Sequence, residues 1–279
     1  MAPPHTPTAV LADCELTPAQ FARITGLLYE HAGIRMREGK EGLVRARLTK
    51  RLRKLGLPDF DAYLTFVEQE TSRREFAEMI DALTTNKTSF LREASHFDFL
   101  RDDVFPQLRG PVRIWSAGCS SGEEPYTLAM LCQDAFGDSA ARDVRILATD
   151  LSHRVLATAK AGVYPDETMA DVPSEWLRKY WVRKTDHAGR VVYEAQGNLR
   201  RLVHFAKLNL MERWPMQGPF DAILCRNVMI YFDKATQQEL VERYWALLRP
   251  GGHLFVGHSE SLTGLAHRFR YVQPALYVK

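Results

Sequence analysis

The chain has 279 residues, 46% hydrophobic and 25% charged, which is enough for a sizeable core in one large domain or two unequal ones. A net charge of +3 carries no global electrostatic message, and no apolar run approaches the ~20 residues of a membrane span, so no membrane insertion is expected. Cys14, Cys119, Cys132 and Cys225 form no CxxC or zinc spacing and the start MAPPHTPTAV has no signal-peptide pattern, so free thiols in a reducing cytoplasm and no metal are expected.

Residues 1–14, rich in proline, read as a flexible tail. Residues 15–85 read as an all-helical domain. Thr17-Pro18-Ala19-Gln20 is a capping box with proline at the first helical position. Phe21, Ile24 and Leu28 mark the buried stripe of this helix, and Gly33 is its stop. A second helix runs through LVRARLTKRLRKLGL, with Val44, Leu48, Leu52 and Leu55 on one face. A third follows Pro58 and carries Phe60, Tyr63, Leu64 and Val67. A fourth starts at a second capping box, Ser72-Arg73-Arg74-Glu75, and buries Phe76, Met79, Ile80 and Leu83. Residues 86–110 read as a linker that also contacts a ligand.

From residue 111 to 279 the texture changes. The strand-length runs VRIWSAG, VRILATD, FDAILCRN and HLFVGHSE alternate with helical patterns, which implies crossover units and a mostly parallel sheet. VVYEA and its turn-rich neighbours interrupt the rhythm and read as a small antiparallel β subdomain at about 181–206. The end, RFRYVQPALYVK, reads as an edge hairpin.

Parallel sheets bind ligands at the carboxyl ends of their strands, and polar residues gather there. In WSAGCSSGEEPY, Gly118 and Gly122 let the backbone curl, but Ser120 stands where a dinucleotide turn carries its middle glycine. Asp150 ends the next strand, where an acid accepts hydrogen bonds from a ribose diol; the alternative is a helix N-cap, for which Ser152 competes. Glu123 and Glu124 argue against a diphosphate and for a ligand with positive charge, such as S-adenosylmethionine, although acids at a helix start also complement its dipole. In TTNKTSFLRE, Arg92 is placed to face a cofactor or substrate carboxylate. In ILCRNVMIYFD, Asn227 ends a strand and Tyr231 follows one turn later.

Taken in order, TTNKTSFLRE, WSAGCSSGEEPY, ATDLS, KLNL, CRNVMIYFD and GHSESL resemble the CheR-type chemoreceptor glutamate O-methyltransferases over nearly the whole chain. The resemblance implies an α/β fold: a class I S-adenosylmethionine-dependent methyltransferase with a Rossmann-like, mostly parallel sheet, an all-helical N-terminal domain and a small antiparallel insertion. It implies that Asn86, Thr88, Arg92, Glu123, Asp150, Asn209, Leu210, Asn227 and Val228 line the S-adenosylmethionine pocket beside Gly118, and that Arg92 and Tyr231 flank the transferring methyl. The expected products are glutamyl methyl esters and S-adenosylhomocysteine. A glutamate with pKa near ~4.3 is already ionised at neutral pH, so no general base is required.

Arg35 to Lys54 holds nine Lys/Arg and two acids. Arg45, Arg47, Arg51 and Lys54 are expected to meet the acidic helical coiled coil of a receptor, a solvated helix face being the plain alternative. Some family members dock a receptor C-terminal peptide on the β subdomain as an added strand; the short turn KTDHAGR leans against that here. Two other function classes fit the same sheet: a nucleic-acid methyltransferase, and a non-catalytic S-adenosylmethionine sensor or scaffold. CRNVMIYF lacks the Pro-Pro of amino methylases, so no nucleic-acid partner is expected, with Cys225 the one residue that keeps that class open.

Overall fold

The computed structural model describes residues 14–72, 74–137 and 142–279. Apart from Cys14, the expected tail lies outside them. The chain divides after Thr85 into two compact units.

The first unit is four helices: α1 (Pro18–Ala32), α2 (Glu41–Leu55), α3 (Phe60–Gln69) and α4 (Arg74–Leu83). The Thr17 capping box forms, with Thr17 Oγ1 accepting the Gln20 N–H at 3.2 Å and Gln20 Oε1 accepting the Thr17 N–H at 2.9 Å. Gly33 closes α1 in the left-handed region, φ 68°. Ile24, Leu28, Val44, Leu48, Leu52, Phe60, Tyr63 and Leu64 are fully buried between the helices.

The second capping box does not form as expected, and Arg73 within it lies outside the described residues. The Glu75 N–H goes to the Glu70 carboxylate at 2.6 Å, while Ser72 Oγ accepts from Arg74 N at 3.3 Å. The physical reason is that the Glu75 side chain has a stronger partner than the helix start. It is buried and accepts from Arg51 at 3.0 and 2.6 Å and from the Tyr63 hydroxyl at 3.0 Å. Arg51 also reaches Glu78 at 2.7 Å. Arg47 Nη1 donates to the Leu83 and Thr84 carbonyls at 2.9 and 3.2 Å, satisfying the C-terminal end of α4. Two arginines expected to face a partner are therefore engaged inside the unit. Arg45, Lys50, Arg53 and Lys54 stay exposed.

Residues 86–110 are a correction to the linker reading, because they belong to the core of the second unit. After α5 (Ser95–Phe99) the chain continues through irregular helical turns to Gln107. Phe90, Phe97, Leu100, Val104, Phe105 and Leu108 are buried in the larger core cluster.

The second unit is built on β1 (Val112–Ala117), β2 (Val144–Asp150), β6 (Val203–Lys207), β7 (Phe220–Cys225), β8 (Leu248–Val256), β9 (Arg270–Gln273) and β10 (Leu276–Val278), in the order β6-β2-β1-β7-β8-β10-β9. The five strands from β6 to β8 are parallel, and β10 and β9 add antiparallel at one edge. The strands β1 and β7 are almost wholly buried, which is why they read as near-continuous apolar runs, while β2 exposes Arg145. Helices α6 (Glu123–Phe136), α7 (His153–Ala161) and α10 (Lys234–Leu247) connect them. Chain order reverses between β1 and β7, so their carboxyl ends form the switch-point crevice of an open α/β sheet.

The small sheet has the order β3-β5-β4, from β3 (Val163–Pro165), β4 (Trp181–Thr185) and β5 (Val191–Ala195), with α8 (Ser174–Tyr180) before β4 and the short α9 (Gly197–Arg200) after β5. It starts at Val163 rather than near 181, because three residues too few to read as a strand pair with β5. The edge-to-face cluster of Phe90, Tyr164 and Trp181 joins it to the main core, with centroids 5.1–5.6 Å apart.

Gly122 sits at this join with φ +101°. A Cβ there would lie 2.6 Å from Tyr164 Oη and 2.9 Å from Ala159 Cβ. Gly122→Ala is expected to cost about 2–3 kcal/mol of unfolding free energy in urea titration, by overpacking and a left-handed backbone. A loss below about 0.5 kcal/mol would contradict the packing described.

Candidate active site

The site begins where β1 ends. Gly118 N and Cys119 N both donate to the Thr149 carbonyl, at 2.8 and 2.9 Å, which folds the turn back over β2. Gly118 has φ +88°, and a Cβ there would stand 2.4 Å from Val228 Cγ2. It is bare because the exit from β7 passes against it. Ser120 takes φ 49° without being a glycine. Its N–H donates to Asp150 Oδ2 at 2.9 Å and its hydroxyl to the Asn86 carbonyl at 2.8 Å. The side chain in the middle-glycine position thus ties the 86–93 loop to the turn.

Arg226, one residue beyond β7, joins three segments. Its side chain is 3% exposed. Nη1 meets Glu124 Oε2 at 2.9 Å, and Nη2 meets Glu93 Oε2 at 3.0 Å and also donates to the Arg92 carbonyl. The guanidinium lies 5.1 Å from the Phe97 ring centroid. Burial alone would raise the Glu93 pKa, but Arg226, the His258 N–H and Asn227 outweigh it and hold the carboxyl below its ordinary value. Glu124 goes the other way, because its burial exceeds what Arg226 and Ser116 Oγ (2.6 Å) return. Of the six non-glycine residues with positive φ among the described residues, four lie in these segments: Leu91, Glu93, Ser120 and Asn227. Such conformations persist where the surroundings over-determine them.

Glu123, at the start of α6, is 4% exposed; Ser121 Oγ donates to its carboxylate (2.7 and 2.9 Å), and no cation pairs with it among the described residues. Burial raises its pKa. Asp150 is not the N-cap of α7: Ser152 Oγ takes that place, accepting Val155 N at 3.2 Å, while Asp150 accepts the N–H groups of Ser120 and Ser152. The Leu208 N–H bonds to the Asp150 carbonyl at 3.0 Å, which brings Asn209 and Leu210 alongside. Asn209 Oδ1 accepts the Met211 N–H at 3.0 Å and shapes that turn. Val228 seals Gly118, and Tyr231 follows in a tight turn whose N–H returns to the Val228 carbonyl at 3.2 Å. Arg92 is half-buried, its Nη1 on the Lys87 carbonyl at 2.9 Å. Asn86 Nδ2 is buried with no hydrogen-bond partner. Thr88 lies in the same loop, half-buried. Arg45, Arg47, Arg51 and Lys54 belong to α2 of the first unit.

Sequence reasoning missed Glu93, Arg226, Glu260 and His96. The available signal was a lone arginine at the end of the fully buried run FDAILC, since a buried charge needs a partner. Glu93, His96 and His258 place candidate ligand atoms within 4.8 Å of one another. Both Glu93 oxygens, however, already accept from Arg226, Asn227 and the His258 N–H, and the neighbouring guanidinium repels a dication. Cys225 is fully buried, accepts from the Tyr244 hydroxyl at 3.2 Å and has its pKa pushed up by burial, so it is no accessible nucleophile.

Two family models match the chain: "CheR methyltransferase, SAM binding domain" over residues 86–278 and "CheR methyltransferase, all-alpha domain" over residues 19–84. The chain is similar to "Chemotaxis protein methyltransferase" of Escherichia coli (43% identity, 91% of this chain and 88% of that one). It is similar to "Chemotaxis protein methyltransferase 2" of Pseudomonas aeruginosa (43% identity, 99% of each). It also matches "Chemotaxis protein methyltransferase" of Borreliella burgdorferi (38% identity, 95% of each).

Arg226→Ala leaves two buried carboxylates without their counter-charge. Chemical denaturation of the second unit is expected to show a loss of about 3–5 kcal/mol, and a change under about 1 kcal/mol would contradict the clamp.

Proposed function

The chain belongs to the CheR methyltransferase family, and from that premise we propose that it is a cytoplasmic protein-glutamate O-methyltransferase. It moves the methyl of S-adenosylmethionine to glutamate side chains in the helical coiled coil of chemotaxis receptors. The observation that carries this reading is Glu123, a buried carboxylate beside the Gly-rich turn with no cation partner among the described residues. A phosphate there would meet repulsion; a ligand with an ammonium, a sulfonium and a ribose would not. Two further features support the fit. Gly118 keeps the turn bare against Val228, and the Asn86 amide still has a donor to give.

Bound in this pocket, S-adenosylmethionine supplies an electrophilic methyl that a carboxylate displaces in line, leaving S-adenosylhomocysteine and a methyl ester. The remaining work is positional. Asp150, at the carboxyl end of β2, accepts from a ribose diol, and Asn209, Leu210, Asn227 and Val228 flank it. Arg92 orients a carboxylate through its planar fork, and Tyr231 donates a hydrogen bond to the acceptor. The acceptor is already ionised, so no side chain has to remove a proton.

Receptor recognition falls to the exposed cations of α2. Arg45, Lys50, Arg53 and Lys54 face solvent, whereas Arg47 and Arg51 are held by α4. The short turn between β4 and β5 weighs against a docked receptor C-terminal peptide; a peptide that did dock would add along β4, an edge of the small sheet with Val182 exposed.

Transfer of tritiated methyl to receptor-containing membranes is expected to give label that base releases as methanol. Base-stable label would assign the acceptor to an amine or a nucleobase instead. Reversing charge at Arg45, Lys50, Arg53 and Lys54 is expected to slow receptor methylation by about 10-fold at low salt while S-adenosylhomocysteine affinity stays unchanged. Unchanged receptor kinetics would remove α2 from recognition.

A further inference from the structure

Glu260 lies in the GHSESL segment after β8. It is 8% exposed. The Met229 N–H faces its carboxylate, which also accepts from three further backbone N–H groups: Gly257 at 2.5 Å and Asn227 at 2.8 Å on Oε2, and Ile230 at 3.0 Å on Oε1. The last two belong to the segment that carries Asn227 and Tyr231. Asn227 is held in the left-handed region at φ 59°. Gly257 makes room for it, since a Cβ at 257 would stand 2.4 Å from Asn227 Nδ2 and 2.7 Å from Asn227 N. Burial raises the Glu260 pKa against these bonds.

We propose that Glu260 is a positioning residue for methyl transfer: by gathering the Asn227 and Ile230 N–H groups on one buried carboxylate, it fixes the turn that aims Tyr231 at the acceptor. The proposal rests on the assignment of Tyr231 made above. The two oxygens divide the work. Oε2 holds the strand end at Asn227 and Gly257, and Oε1 holds the turn at Ile230, next to Tyr231. A carboxylate can accept on both sides, whereas a carboxamide cannot. In Glu260→Gln the carbonyl oxygen can keep Asn227 and Gly257, but the NH2 group then faces the Ile230 N–H, donor against donor. The damage falls on the Tyr231 turn rather than on the cofactor side of the crevice.

The test is a double-variant cycle with Glu260→Gln and Tyr231→Phe, reading kcat for methyl transfer and the S-adenosylhomocysteine Kd separately. Glu260→Gln is expected to lower kcat by about 30-fold while the Kd stays within about 3-fold, and to cost less than about 3-fold more in the Tyr231→Phe background. A general loss of packing would instead multiply in the double variant. Multiplicative losses, or wild-type kcat in Glu260→Gln alongside an impaired Tyr231→Phe, would overturn the proposal while leaving the assignment of Tyr231 intact. Wild-type kcat in Tyr231→Phe would overturn that assignment, and this proposal with it. If Glu260→Gln yields no folded protein, Glu260→Asp enters the same cycle, keeping the charge but too short to hold both sides, with the same outcomes.

Discussion

The site depends on one buried guanidinium. Arg226 sits at the end of β7 with almost no exposure, and its charge is answered by Glu93 from the loop before the sheet and by Glu124 from the first turn of α6. Removing three charges from water is expensive, and a buried ion pair is weak support for stability in itself. What such a cluster supplies is registry. The observed placement pairs all three charges and brings the 86–93 loop, the Gly-rich turn and the β7 exit around the switch point between β1 and β7.

The strained backbone follows from the same constraint. Leu91, Glu93, Ser120 and Asn227 hold positive φ, and each is fixed by tight neighbours: Leu91 N on Thr127 Oγ1, Glu93 on Arg226, Ser120 on Asp150 and Asn86, and Asn227 on Glu260. Conformations that cost about 1–3 kcal/mol each survive where the surrounding bonds over-determine them. Backbone fixed by this many bonds suits a reaction that works by alignment and exclusion of water. Its charge balance is tilted negative by Glu123, Asp150 and the second carboxylate of the clamp, which suits a cationic donor.

Features governed by near neighbours were legible in the sequence. The Thr17 capping box and the alternation of buried strands with helices depend on residues within a turn or two, whereas Gly118 and Gly122 read only as places where the backbone curls, their packing partners Val228, Tyr164 and Ala159 being distant in sequence. The choice between Asp150 and Ser152 as helix cap was posed correctly but needed geometry to resolve. Features that depend on distant partners were not legible. Arg226 meets residues 102 and 133 positions away, so no local pattern pairs them. Residues 86–110 look polar enough for a linker, yet Phe90, Phe97 and Phe105 are core because the sheet supplies their other side. The basic run on α2 concealed two arginines whose partners lie on the next helix but one.

The central claim is that this turn, with serine in place of its middle glycine and two acids behind it, serves a phosphate-free cationic nucleoside. Calorimetric titration of the full chain with S-adenosylmethionine and, under identical conditions, with NAD tests this directly. The account predicts saturable one-to-one binding of S-adenosylmethionine and no saturable heat from NAD. Equal binding of the two, or binding of NAD alone, would contradict it.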